Sequence, residues 1–309
     1  GWDEECCYHL DVFTKWGTES YLAKTGVISG REDAEAIVDK MHKCMGGLPL
    51  ALALAVGCIS SSGKFGRRKI DVVGFLKLCE DNGIDNIGTR GKTIRPLLDM
   101  TIKELADKHD CSRQLLRKVC LLGEGTIPRI LLVKLCGDGD MEDLLVPLIS
   151  RSLLKEVSRD SNGDVDLYSM HRVLRAVGRA ALCGITKLGA KLELTTNCVG
   201  LAEVVKTCTA IVDSTASPFD SLRPPSEAHL IPHMRALSDL IEHVDDKSEF
   251  VRSPWRRLVY LLGTSLSYSY LLPEALASFE SSLRMEREAH GGADASHPDI
   301  AASLHAIGN

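Results

Sequence analysis

Two stretches of the chain contain the Gly-Lys pair that is typical of phosphate-binding loops. "NIGTRGKT" covers residues 86–93, but Asn86 stands where the Walker A pattern requires its first glycine. Pro96 disfavours the helix whose N-terminus would hold the phosphate. In "GCISSSGKF", Phe65 occupies the position of the Ser or Thr that binds magnesium. We therefore expect both stretches to be solvated loops.

Other groupings of metal-binding or catalytic residue types are weak. His229 and His233 stand at i and i+4, a spacing that suits one metal ion, but no third ligand is nearby. "DSNGDVD" (160–166) has the composition of a calcium loop without the EF-hand spacing or its final Glu. No Ser/His/Asp or Cys/His signature can be located. We expect ordinary helix and turn positions here, with no catalytic residue and no metal site.

Arg172, Arg175 and Arg179 form a basic stripe on one predicted helix. Such a stripe could contact DNA on a suitable fold. However, the net charge is −5 and the pI is about 6.1, which disfavours nucleic acid or an anionic membrane as a partner. We expect the stripe to be a solvated face.

Composition places the chain among globular, mainly helical proteins. Hydrophobic residues make up 44%, charged residues 26% and aromatics only 5%. The eleven cysteines, without a C-x-x-C pair, are typical of reduced thiols in a cytoplasmic protein. The longest strongly apolar run, residues 48–59, is too short to cross a bilayer. The chain lacks an initiator Met and a signal peptide and stops abruptly, so we expect a piece of a longer protein.

The most apolar run, "MGGLPLALALAVG" (45–57), begins with residues that normally break helices. The preceding stretch has Ser29 and Glu32 as a predicted capping box. Gly46 and Gly47 end that helix, and Pro49 fits the first turn of the next one. We expect a sharp corner with Leu48 and Pro49 exposed at it. The buried face of the first helix is predicted to be Ala34, Ile37, Val38, Met41, Cys44 and Met45.

Further helices are predicted within residues 92–122 and in "TIPRILLVKLC", which Pro128 begins. Asn162-Gly163 then separates two short alternating runs, which predicts a β-hairpin. A helix follows the hairpin. Helices followed by a small hairpin are typical of a winged-helix domain. "STASPFDSLRPPSE" reads as a linker, and "HLIPHMRALSDLIEHV" as a helix.

The last segment contains a weak internal repeat. Leu262, Gly263, Ala275 and Phe279 match the spacing of the tetratricopeptide consensus. The distance from Gly263 to Gly308 exceeds the standard period of about 34 residues. The pattern therefore resembles the longer repeats of kinesin light chains.

Taken together, these motifs resemble NB-ARC nucleotide switches, which are STAND-type ATPases. "GGLPLAL" (46–52) looks like their GLPL motif, and "YSMHRVL" (168–174), after the predicted hairpin, looks like their MHD motif. "LISRSLL" resembles the run before the wing, and the tail matches members with tetratricopeptide repeats. Each motif alone is weak, whereas their order and spacing together are much more specific.

The resemblance implies roles for three residues. Leu48 and Pro49 would pack on the adenine ring of ADP. His171 would contact the β-phosphate and hold the closed state; a capping or core role for this histidine is the alternative. Arg172 replaces the aspartate of the plant motif, which implies a differently tuned switch.

The resemblance also predicts the organisation of the chain. It implies a mainly α fold made of a helical ARC subdomain, a winged helix with a small hairpin, and the start of an α-solenoid. The Walker A and B motifs are absent and would lie upstream, so Mg²⁺ and ATP chemistry would need that segment. The predicted parts are the end of a nucleotide-binding domain at 1–28, the ARC subdomain at 29–110, the winged helix at 111–185, a helical linker at 186–245 and tetratricopeptide-like repeats at 246–309.

Three functions stay open from the sequence. The first is an ADP/ATP-dependent signalling switch, in defence or cell-death control, whose repeats bind a protein or peptide and whose active state is a homo-oligomer. The second is a non-catalytic repeat scaffold, and the third is a STAND-type transcription regulator. The chain as it stands is not expected to be an enzyme, although its parent would be a slow ATPase.

Overall fold

The chain is mainly helical, as the sequence predicts, with one small antiparallel sheet in the part that the structure describes. The structure is a computed structural model that describes residues 12–61, 71–81, 94–183, 198–215, 229–242, 249–292 and 296–308. No described helix is long and apolar enough to cross a bilayer. The chain divides into two compact units, Gly1–Ser112 with Leu145–Leu154, and Arg113–Leu144 with Lys155–Asn309.

The first unit is built from helices alone in its described residues. In it α2 packs against α1, α3 and α4, while α3 also packs against α4 and α5. The helices are α1 Lys15–Lys24, α2 Ala34–Met45, α3 Pro49–Ser61, α4 Val72–Asp81 and α5 Ile94–Lys108. Their apolar faces form a shared core because α3 is apolar on every side and needs neighbours around it.

The boundary between α2 and α3 is the predicted corner. Gly46 and Gly47 both adopt positive φ, at 59° and 64°, and Pro49 is the first residue of α3. Five of the six residues predicted for the inner face of α2 are buried; Ala34 is half-buried. The capping box predicted at Ser29 and Glu32 is wrong, because α2 begins only at Ala34.

The second unit contains the small sheet. The next elements along the chain are α6 Asp110–Leu121, β1 Thr126–Pro128, α7 Arg129–Cys136, α8 Met141–Ser150, β2 Lys155–Arg159, β3 Val165–Ser169 and α9 Arg172–Cys183. Of these, the first three residues of α6 and residues 145–150 of α8 belong to the first unit. Strand β3 lies between β1 and β2 and is antiparallel to both. The hairpin predicted at Asn162-Gly163 is confirmed, with Gly163 at φ 85°. Strand β1 was not predicted from the sequence, because it has only three residues before α7.

The rest of the second unit is helical. Helix α12 packs against α10, α11 and α13, and α13 packs against α14. These helices are α10 Cys198–Thr215, α11 Ile231–Glu242, α12 Glu249–Tyr268, α13 Leu272–His290 and α14 Pro298–Gly308. The predicted linker "STASPFDSLRPPSE" lies almost entirely outside the described residues.

Candidate functional site

The turn between α2 and α3 is held by Phe13, which lies just before α1. The Phe13 N–H donates to the Gly47 carbonyl at 2.7 Å. A Cβ at position 47 would lie 2.5 Å from the Phe13 carbonyl oxygen, and the φ there is +64°, so only glycine fits. Leu48 is half-buried and Pro49 is exposed. The backbone therefore presents a rigid proline ring to solvent at the start of a buried helix.

His171 lies between the end of β3 and the start of α9, with its side chain exposed. The Val173 N–H donates to His171 Nδ1 at 3.2 Å. The bond caps the helix, which is the alternative role considered for this residue, but it also fixes the tautomer. With Nδ1 accepting, the neutral ring carries its proton on Nε2.

The charge state of His171 follows from its surroundings. Partial desolvation, and then the positive charge of Arg172, lower the pKa of His171. The ring is therefore neutral near pH 7, with an outward N–H donor at the N-terminus of a helix. An N–H at that end of a helix suits an anion.

Leu48 and Pro49 belong to the first compact unit, and His171 belongs to the second. The structure defines each of the two positions within its own unit. Their shared contact with a nucleotide stays a prediction. All of "NIGTRGKT" lies outside the described residues, as do residues 62–65 of "GCISSSGKF". Residues 57–61 of the second stretch are the last residues of α3, with Cys58 and Ile59 buried, so the solvated loop expected for that part is wrong.

Pro96 does not prevent a helix after "NIGTRGKT", contrary to the expectation from the sequence. Helix α5 begins at Ile94, so Pro96 lies in its first turn. Proline is tolerated there because the N–H groups of the first turn have no partner within the helix. Pro96 therefore does not disfavour a helix after Gly91, and the argument against Walker A rests on Asn86 alone.

The solvated basic stripe predicted on α9 is wrong, because two of its three arginines are buried or partly buried. Arg175 is only 2% exposed and donates to the Gly123 carbonyl. Arg179 donates to the carbonyls of Cys120 and Leu122, both at 2.6 Å. Two of the three arginines thus bind carbonyls at the end of α6 and in the two residues after it, where a helix leaves carbonyls without partners.

Burial lowers the pKa of Arg175 to about 10, so this guanidinium stays charged at neutral pH. Neither Arg175 nor Arg179 presents a solvated face or a surface for DNA.

Gly178, between these two arginines, is the sequence feature that could have indicated that this face of α9 is packed. A Cβ there would lie 2.4 Å from the Cys120 Sγ, so this face of α9 must contact α6 closely.

His229 and His233 converge on one threonine. His233 Nε2 donates to the Thr126 carbonyl at 2.9 Å, and His229 Nδ1 lies 3.0 Å from the Thr126 hydroxyl. His233 is fully buried, and burial lowers its pKa to about 4. Both side chains therefore fasten the start of α11 to β1.

A cavity of about 240 Å³ lies among α12, α13 and α14. Its charged centre is the pair Arg256 and Glu286, whose side chains are 10% and 8% exposed and whose Nε and Oε2 atoms are 3.4 Å apart. Arg257 also lines it and stacks over Tyr260 at 5.5 Å. These residues could not be recognised from the sequence, because they come from separate helices and their spacing matches no motif.

The residues of the predicted repeat meet between α12 and α13. A Cβ at Gly263 would lie 2.8 Å from the Phe279 ring, and Leu262, Ala275 and Phe279 are buried. The glycine therefore permits the close approach of the two helices.

No protein-family model matches the sequence, and no curated protein matches it.

Proposed function

We propose that the chain forms the ARC and winged-helix part of an NB-ARC-type nucleotide switch, followed by repeat helices that bind a protein partner. The observation that carries the proposal is His171. Its Nδ1 is occupied by the Val173 N–H, and its neutral ring keeps Nε2–H as a donor at the start of α9.

The order of elements supports the winged-helix assignment. The order is α6, β1, α7, α8 and then the β2–β3 hairpin. Strand β3 is the middle strand of the sheet. In this arrangement the hairpin is the wing. His171 follows two residues after the end of β3, the central strand.

The proposed nucleotide is ADP in the resting state. The Pro49 ring at its fixed corner offers an apolar surface for the adenine base, and Leu48 supports it. His171 Nε2–H donates to a β-phosphate oxygen. The residues fit these roles chemically, since one is an exposed rigid ring and the other a neutral donor. The phosphate loop and Mg²⁺ would come from an upstream segment.

The cavity among α12, α13 and α14 supports the partner-binding part. It combines a buried ion pair with the hydroxyls of Ser282 and Ser303, which suits a polar peptide segment. Binding there would be transmitted along the helices to the switch, and the active state would be a homo-oligomer. A repeat scaffold without nucleotide is the second candidate, because the cavity alone would serve it.

The experiment measures ADP bound to the purified protein that carries the upstream phosphate-loop segment which the proposal requires. His171→Ala removes the donor, and a hydrogen bond to a charged group contributes about 1.5–3 kcal/mol. We expect ADP affinity to fall roughly 10- to 100-fold. Nucleotide released by denaturation is quantified by chromatography, and affinity is measured by competition with a fluorescent ADP.

Two variants serve as controls. His171→Gln keeps an N–H donor and should retain more ADP than the alanine variant. His305→Ala removes an exposed histidine from α14 and should leave ADP unchanged. An equal ADP content in wild type and His171→Ala would exclude the proposed role of His171 and favour the scaffold.

A further inference from the structure

Two histidines and an aspartate meet where α13 passes to α14. His290 is the last residue of α13, His297 directly precedes α14, and Asp299 is its second residue. One ring nitrogen from each histidine and one carboxylate oxygen lie within 4.8 Å of one another. The side chains of His290 and Asp299 are exposed and that of His297 is half-buried, so an ion can reach all three.

The two imidazole rings are stacked face to face. Their centroids are 3.7 Å apart and their planes differ by 10°. In a tetrahedral zinc site with bonds of about 2.0–2.1 Å, neighbouring ligand atoms are roughly 3.3 Å apart. The three atoms must therefore approach by about an ångström to hold a single ion, and the two rings must turn out of the stack because the nitrogen lone pairs lie in the ring planes.

A fourth group independently points to a cation. Glu286 is 6% exposed. Its Oε2 lies 3.3 Å from His290 Nε2 and 3.4 Å from Arg256 Nε, yet neither approach has hydrogen-bond geometry. This buried oxygen faces the histidine from within the fold. Carboxylates placed behind a histidine in this way orient the ring in zinc sites.

We propose that His290, His297 and Asp299 bind one Zn²⁺ ion, with Glu286 orienting His290. Two imidazoles and one carboxylate are a donor set that Zn²⁺ accepts, and water completes the coordination. The ion joins the end of α13 to the start of α14. Since Asp299 and Glu286 also line the cavity, the metal fixes one wall of the proposed partner site.

This metal site was not predicted from the sequence, because its ligands follow the pattern H-x6-H-x-D, which matches no common motif. The site becomes apparent only when α13 and α14 are packed together. It depends on the packing of these two helices and not on nucleotide binding, so it stands or fails separately from the proposed switch.

Cysteine is the main competitor for zinc in this chain. Eight described cysteines are free thiols, and Cys111 is exposed. Co²⁺ distinguishes the two kinds of site, because thiolate ligands add a charge-transfer band in the near ultraviolet. A nitrogen and oxygen site gives only the weaker visible bands.

The test titrates the full chain with Zn²⁺ by calorimetry and with Co²⁺ by absorption. We expect one ion per chain and visible Co²⁺ bands without the thiolate band. His290→Ala and His297→Ala should each weaken Zn²⁺ binding about tenfold or more, since even outer-shell changes cost 10–100-fold. His305→Ala on α14 and Cys111→Ser should bind as tightly as wild type.

A thermal scan gives a second readout. Zn²⁺ should raise the Tm of wild type and of the two controls, but not of His290→Ala or His297→Ala, because only a bound ion stabilises the native state. Circular dichroism confirms that each variant is folded. The proposal is overturned if no ion binds, if a thiolate band accompanies binding, or if both histidine variants bind as tightly as wild type.

Discussion

At the residue scale, buried His233 links folding to pH. Its folded pKa of about 4 lies below the value of about 6.5 expected for an unfolded chain. The stabilisation from the neutral ring is therefore complete above pH 6.5 and is lost as the pH falls towards 4. Over this range we expect the free energy of unfolding to drop by about 3 kcal/mol through this residue.

Urea unfolding at a series of pH values checks this expectation. His233→Gln keeps an N–H donor for the Thr126 carbonyl but does not titrate, so its stability should depend less on pH between 6.5 and 4. His229→Gln, at the other histidine bound to Thr126, should retain the wild-type dependence. Equal pH profiles for wild type and His233→Gln would contradict the account of His233.

The residue scale also shows where sequence reasoning is limited. The corner at Gly46, Gly47 and Pro49 is predictable because each residue has a backbone preference that acts locally. The burial of Arg175 and Arg179 is not, because it depends on the carbonyls of α6, more than fifty residues away. A charge pattern on one helix does not reveal which side faces another helix.

At the element scale, a buried ion pair holds the end of α8. Arg151 is 1% exposed and donates to the Pro147 carbonyl and to Glu104 Oε1, both at 3.1 Å. Burial acts to raise the pKa of Glu104, but the hydrogen bonds from Lys108 and Arg151 outweigh it, and the pKa is lowered. The carboxylate therefore stays ionised in the folded protein.

Arg151→Ala should be strongly destabilising. It leaves Glu104 partly buried with one partner fewer, and breaking such pairs costs about 3–5 kcal/mol. Denaturant unfolding measures the change. Arg95→Ala removes an exposed partner of Asp99 and should cost about 0.5 kcal/mol or less. A similar loss in both variants would contradict the importance assigned to burial.

The packing of α3 depends on Gly57. A Cβ there would lie 2.7 Å from the Arg151 backbone, which cannot move aside as a flexible side chain would. We expect Gly57→Ala to lower the free energy of unfolding by about 1–3 kcal/mol. Gly200→Ala in α10 has room, with only Arg117 Nε at 4.0 Å.

Gly200→Ala should therefore stabilise the protein by up to about 1 kcal/mol, as alanine favours helices. Thermal unfolding of both variants gives the comparison. If Gly57→Ala were as stable as wild type, the close contact of α3 with Arg151 would be wrong.

Elements with strong local signals are predictable from the sequence. Helix α2, the hairpin at Asn162-Gly163 and the α12–α13 pair all follow from periodicity or turn chemistry. Strand β1 is not predictable in this way, because three residues are too few to show a periodic pattern and the strand forms by pairing with β3. The start of α2 at Ala34 was also not predicted. Ser29 and Glu32 match the capping-box pattern, but the helix does not begin there.

At the scale of the whole molecule, the chain passes between the two compact units more than once. Leu145–Leu154 belongs to the first unit, while the residues on both sides of it belong to the second. The proposed switch uses residues from both units, Pro49 in one and His171 in the other.

The most direct test of the switch is hydrogen–deuterium exchange on the parent protein with ADP and with a non-hydrolysable ATP analogue. The account predicts that peptides covering residues 45–52 and 165–175 are protected with ADP. With the ATP analogue, peptide 165–175 should exchange faster, because His171 loses its phosphate contact. His171→Ala should remove this difference. Identical exchange of both peptides in the two nucleotide states would contradict the proposal that this chain belongs to a nucleotide switch.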